Sequence, residues 1–60
     1  MEELRTRVLR CKKDLGISFR GICESCSIPQ DSFDMFARGR RELLEDYVYV
    51  LNKYLRNFGY

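Results

Sequence analysis

The sequence predicts an all-α fold, a compact bundle of about four helices occupying residues 1–60 as one domain. Three observations carry that expectation. Apolar residues return at three- and four-residue intervals in successive segments, the spacing of one helix face, and no stretch alternates apolar and polar residues as a half-buried strand does. Gly16, Pro29 and Gly39 fall where one periodic segment gives way to the next. A chain of 60 residues, 45% apolar, with four Phe and four Tyr, has material for a small core, and at this length roughly 60% of the unfolded surface can be buried, which demands a compact and simple arrangement.

At about 100° of rotation per residue, Leu4, Val8, Cys11 and Leu15 fall within one narrow arc, with Arg5, Arg7, Lys12 and Lys13 outside it. This predicts a first helix over about 2–15. Gly16 suits the left-handed position that closes a helix, and Ser18 supplies an oxygen acceptor for the free amides of the next one, which is expected to start near Phe19. Ile22, Cys23 and Cys26 share a face of that second helix. The Ser27, Ile28, Pro29 run interrupts it, because proline disfavours the helical conformation in the residue before it.

A third helix is expected over about 30–38, with Phe33, Phe36 and Ala37 toward the core and Asp31, Asp34, Met35 and Arg38 on the opposite side. Gly39 ends it and leaves Arg40 and Arg41 in the following loop. The last helix, about 43–58, carries two adjoining stripes, Leu44, Val48, Leu51, Leu55, Phe58 and Leu43, Tyr47, Val50, Tyr54. Together they span an arc of roughly 160°, where about 100° suffices for docking. The excess, with Tyr60 beyond it, is expected to pack the first helix or to form a weak homodimer through this C-terminal helix.

Net charge is +2, from eleven basic and nine acidic residues, so bulk electrostatics announce no partner. The one sharp charge feature is the cluster Arg38, Arg40 and Arg41. No apolar run reaches the roughly 18 residues that span a bilayer, and the N-terminus opens with acids rather than with a basic region and an apolar stretch. No membrane association and a cytoplasmic location are expected. Three cysteines, an odd count, do not make a secreted disulfide framework and read as reduced thiols.

Catalysis has little to stand on: the chain has no histidine, no glycine-rich phosphate loop and no evident carboxylate pair. The expectation is a non-enzyme without cofactors. Cys23 and Cys26 form a C-x-x-C, and Cys11 is a third thiol, but zinc is held by four ligands, usually paired Cys or His motifs. At helical spacing these thiols fall on the core face and act as small hydrophobes, so no metal is expected.

Two short helices joined by a three- to four-residue turn, the second with an exposed polar face, fit both an ordinary helical hairpin and a DNA-binding helix-turn-helix. The segment FRGICESCSIPQDSFDMFARG resembles the helix-turn-helix of phage repressor and Cro-type regulators, the xenobiotic response element family. Ile22 and Cys23 stand where that family has an apolar and then a small residue, Ile28 at the apolar position after the turn, Phe33 and Phe36 at the buried positions of the recognition helix, and Gly39 at the glycine that follows it. The resemblance is loose over the whole chain and close over residues 18–41. Ser27 departs from the pattern, since the family usually has glycine at this left-handed turn position, where serine costs about 1 kcal/mol.

The resemblance implies a lambda-repressor-like fold and transcriptional control through double-stranded DNA, of the kind carried by phages and mobile elements. It places Gln30, Asp31 and Met35 at base-facing positions, with Asp34 and Arg38 beside them. Gln30 has the geometry to address adenine, and a carboxylate accepts from the amino group of cytosine. Arg20, Arg38, Arg40 and Arg41 are expected on phosphates, where contacts position rather than specify. Asp31 and Asp34 weaken a purely phosphate-seeking surface. The alternative is a protein-protein interaction module of the same fold, an anti-repressor or accessory subunit, using the exposed face of Asp31, Asp34 and Met35 or the Tyr47, Val50, Tyr54 stripe.

Overall fold

Left-handed backbone at Gly16, Ser27 and Gly39 breaks the chain into its helical pieces. The computed structural model describes residues 2–60, and Met1, the first residue of the expected 1–60 domain, lies outside the described residues. Among the described residues the order is α1 (Glu2–Leu15), α2 (Phe19–Cys26), α3 (Gln30–Ala37) and α4 (Glu45–Asn57), with no strand. The expected all-α bundle of four helices is the observed architecture. Helix α3 packs on α1 and α2, and α4 packs on the same two helices.

Each helix begins and ends for a local reason. Glu2 and Glu3 in the first turn of α1 and Lys12 and Lys13 in its last turn complement the helix dipole. Helix α2 is capped by Ser18, whose hydroxyl oxygen accepts from the Gly21 N–H at 3.0 Å, an interaction of about 1 kcal/mol. At its other end the Ser27 N–H donates to the Glu24 carbonyl at 3.4 Å and the Ile28 N–H to that of Cys23 at 3.0 Å. This paired closure needs a left-handed residue, and Ser27 supplies it at φ 56°. The same closure ends α3, where the Gly39 N–H donates to Phe36 and the Arg40 N–H to Met35, at 3.0 and 2.9 Å, with Gly39 at φ 77°.

Ser27 therefore adopts the conformation that the turn requires, at a steric cost glycine would not incur. Ser27→Gly is expected to stabilise the protein by about 0.5–1 kcal/mol, the relief of left-handed strain less the greater unfolded-state freedom of glycine, and to raise the melting temperature by about 3–6 °C. A thermal melt in which the glycine variant unfolds below the wild type would refute this account of the turn.

The core forms around Phe33 and Phe36 of α3, both fully buried with Val8, Cys11, Ile22, Leu51 and Leu55. Phe33 meets Phe19 edge-on at 5.5 Å between centroids and Phe36 at 6.1 Å. Leu4, Cys23, Cys26, Ile28 and Leu43 complete the buried set. Tyr60 closes the structure over α1. Its carbonyl accepts from Arg7 Nε at 2.6 Å, and its hydroxyl donates to Asp14 Oδ2 at 2.7 Å, while Arg7 Nη1 also donates to Asn52 Oδ1 at 2.6 Å.

Several side chains stand elsewhere than the periodicity predicts. Leu15 is exposed, because Gly16 turns the chain away just after it. Helix α3 stops at Ala37, with Arg38 as its cap rather than its last residue. Helix α4 starts at Glu45, so Leu43 is buried from the preceding loop, whereas Leu44, in extended backbone at the cap, is 68% exposed. Phe58, at the other cap, is 46% exposed and packs its ring 5.0 Å from that of Tyr54. Of the two expected stripes on α4, only Leu51 and Leu55 are fully buried, Tyr47, Val48 and Tyr54 are half-buried, and Val50 is exposed. Rotation per residue assigns a stripe only while the chain is helical, and both ends of this one lie outside the helix.

The three cysteines are buried and unpaired. Burial pushes all three thiols up, Cys23 to about 11, with Asp34 adding a repulsive contribution there. Tyr54 is raised by burial, and Tyr60 chiefly by its hydrogen bond to Asp14, which only the neutral phenol can donate. Each of these groups loses its proton more readily in the unfolded chain, so its contribution is complete below the ordinary thiol and phenol range and disappears as pH rises through the folded-state values. Urea midpoints are expected to fall steeply between about pH 9 and pH 11. Midpoints that hold constant or rise across that window would contradict the burial of neutral thiols.

Candidate nucleic-acid interface

Helix α3 has one side committed to the core through Phe33 and Phe36 and one side open. Asp31, Asp34, Met35 and Arg38, at i, i+3, i+4 and i+7, line a shallow groove along the open side. The expected outward group is thus together, with differences in depth. Asp31 and Arg38 are exposed, while Asp34 and Met35 are half-buried. The charge of Asp34 adds to burial in raising the Cys23 thiol. Gln30 is exposed at the first position of the helix and does not line the groove.

The start of α3 has no side-chain cap, because Pro29 has no side-chain acceptor to offer, and Asp31 supplies the favourable charge of the first turn. At the other end, Arg38, Arg40 and Arg41 are all exposed on the turn made by Gly39. Arg20 stands on α2 and is exposed, paired with Glu24 at 3.3 Å. An exposed i,i+4 pair of this kind is worth about 0.3–0.5 kcal/mol, so Arg20 is easily released to another anion. The face therefore carries acids along the helix and, on its C-terminal rim, exposed arginines that form no ion pair among the described residues.

Arg5 is the residue that periodicity misplaces here. It stands on α1, outside the apolar arc, yet its side chain is only 15% exposed. Its Nε donates to the Phe36 carbonyl at 2.6 Å, its guanidinium lies 5.0 Å from the centroid of the Phe36 ring, and its Nη1 pairs with Glu2. Nothing local in the sequence marks it, since its partner is 31 positions away. Lys12, likewise outside the arc, lies 5.1 Å over the Phe19 ring.

No family model, no curated protein and no solved structure matches the chain. Among the described residues no group of three or more Cys, Asp or Glu stands where it could hold a metal ion, and no helix is long and apolar enough to cross a membrane. What the open side of α3 offers is hydrogen-bonding side chains on a rigid rod, one apolar thioether, and a cationic rim at one end.

Proposed function

We propose that this chain is a sequence-specific DNA-binding transcriptional regulator of the phage repressor and Cro type, a non-catalytic cytoplasmic protein that places α3 in the major groove of double-stranded DNA. The observation that carries this reading is a short helix with an open polar side, anchored to the core by Phe33 and Phe36 and bordered at its C-terminal turn by exposed Arg38, Arg40 and Arg41. A major groove about 12 Å wide admits one helix, and a reading helix presents its N-terminal residues to base edges. Gln30 and Asp31 occupy that end, with Met35 and Asp34 a turn further on.

In this reading Gln30 addresses adenine through its amide, Asp31 and Asp34 accept from cytosine amino groups, and Met35 offers an apolar contact to a thymine methyl. Arg38, Arg40, Arg41 and Arg20 grip phosphates, which sets register without selecting sequence. The central acids disfavour unmatched sites, because an unpaired carboxylate is repelled by guanine acceptors and by phosphate.

A second reading has one observation in its favour. The groove on α3 is walled by two carboxylates beside a thioether, which also suits a basic and apolar protein partner. Selection of bound sequences from a random DNA pool separates the two. An enriched motif supports the regulator. The absence of salt-dependent binding to any duplex would sink it and leave the protein-interaction module.

The regulator is expected to self-associate weakly through α4 and its C-terminal end, where Tyr49, Val50 and Phe58 remain exposed while Leu51 and Leu55 are buried and Tyr47, Val48 and Tyr54 half-buried against α1 and α2. Sedimentation equilibrium should show a monomer-dimer mixture at high micromolar concentration. Strictly monomeric behaviour, with and without DNA, would count against this contact.

A further inference from the structure

Arg5 lies on the helix farthest in sequence from the arginines of the α3 rim, and its guanidinium is fastened to the end of α3 in two ways. The Nε–H donates to the carbonyl of Phe36 at 2.6 Å, and the guanidinium lies 5.0 Å from the ring of the same residue. The Phe36 carbonyl is one of the acceptors left over at the end of α3, and it also takes the Gly39 N–H at 3.0 Å. Its second lone pair is therefore used by Arg5. A side-chain carbon built on Gly39 would lie 3.9 Å from both Arg5 Cζ and Nε, so the open side of this left-handed glycine faces the guanidinium. Glu2, largely exposed, pairs with Nη1 and holds the guanidinium from the solvent side.

Two consequences follow from this arrangement. A positive charge at the negative end of α3 is favourable, and it is drawn inward to a backbone carbonyl instead of remaining free for phosphate. The turn it braces is the one from which Arg38, Arg40 and Arg41 project, and the Arg40 N–H is itself part of the closure, bonded to Met35 at 2.9 Å. The other turn of the pair, at Ser27, has no such brace among the described residues: its closure is made by backbone bonds to Cys23 and Glu24.

We propose that Arg5 is a positioning residue for phosphate binding: it fixes the Gly39 turn, and through it the direction of Arg40 and Arg41, without touching DNA itself. This rests on the DNA reading above. The reason is entropic. Two long side chains on a loosely held turn lose more freedom when they bind than two on a turn already fixed, and that loss opposes binding.

The experiment has two parts. In the free protein, amide exchange of Gly39 and Arg40 in Arg5→Ala should accelerate by roughly tenfold or more over wild type, the scale of one lost charge-assisted hydrogen bond, while the Ser27 and Ile28 amides keep their wild-type ratio to global unfolding. Binding to one random-sequence duplex is then measured against salt for wild type, Arg5→Ala, the Arg40→Ala/Arg41→Ala pair, and all three changes together. Arg5→Ala should weaken binding by a similar factor, roughly threefold to tenfold, at every salt concentration, with the salt slope little changed because Arg40 and Arg41 still reach their phosphates, and should add nothing once Arg40 and Arg41 are gone. Arg5→Lys keeps the charge and a hydrogen-bonding ammonium but loses the fixed fork that reaches the Phe36 carbonyl, so it should recover part of both effects, and it takes the place of Arg5→Ala if that variant does not fold.

Equal acceleration at both turns, or losses that add in the combined variant, would overturn the positioning role and leave the DNA reading intact. Wild-type protein that binds no duplex in a salt-dependent way would overturn the DNA reading, and the role of Arg5 in it.

Discussion

Replacing Phe33 with alanine is expected to abolish cooperative folding near room temperature. The side chain is fully buried at the meeting of α1, α2 and α3, and it makes aromatic contacts with both Phe19 and Phe36. Truncating a buried phenylalanine costs about 3–5 kcal/mol, and each lost aromatic pair adds about 0.5–1.5 kcal/mol beyond its area. Against this, a domain of 60 residues has roughly 3–9 kcal/mol in total. Phe33→Leu, which keeps most of the volume, should fold and melt at reduced temperature. Circular dichroism melts decide the matter, and a Phe33→Ala protein that unfolds cooperatively within a few degrees of wild type would show that the core is centred elsewhere.

Arg40→Ala/Arg41→Ala and Gln30→Ala are expected to damage DNA binding in different ways. Loss of the two arginines should weaken binding to every duplex alike and flatten the salt dependence by roughly one to two units of slope, at about 0.9 per phosphate contact. Gln30→Ala should cost about 1–3 kcal/mol on the preferred sequence and little on random DNA. Asp34→Ala should raise affinity for random DNA, since a carboxylate that repels phosphate has been removed. Titrations on one selected and one random duplex at two salt concentrations measure all three. Equal losses from Gln30→Ala on both duplexes would remove base reading from that residue.

Helices α1 to α3 were legible almost to the residue, because each ends at a signal that acts locally: Gly16 and Gly39 take a left-handed backbone, Ser18 caps, and Pro29 excludes helix from the residue before it. That the chain turns at Ser27, Ile28 and Pro29 was legible from the proline, and that Ser27 is the left-handed residue of the turn was legible through the resemblance alone. Its left-handed conformation at φ 56° shows that the paired closure onto Cys23 and Glu24 overrides the preference of serine. The start of α4 was less legible: Leu43 and Leu44 continue the apolar pattern into a segment that is not helical, and no cap residue marks the true start, Leu44 having no side-chain acceptor.

For the site, periodicity alone placed Asp31, Asp34, Met35 and Arg38 on one side of α3, since a spacing of three and four residues determines a helix face wherever the helix sits. Which cations remain open and which are drawn inward was decided by the tertiary structure. Arg5 and Arg7 read in the sequence as surface charges like Arg40 and Arg41, yet they bond the Phe36 and Tyr60 carbonyls, 31 and 53 positions away. The sequence by itself determined the number and order of the helices, the core faces of α2 and α3 and the open side of α3, because those depend on neighbours within a few residues. Only the folded chain decided the true ends of α4, which leave Leu44 and Phe58 exposed, because no local signal marks them, and the depth of Asp34 and the commitment of Arg5 to the end of α3, because those depend on partners brought near by packing rather than by sequence.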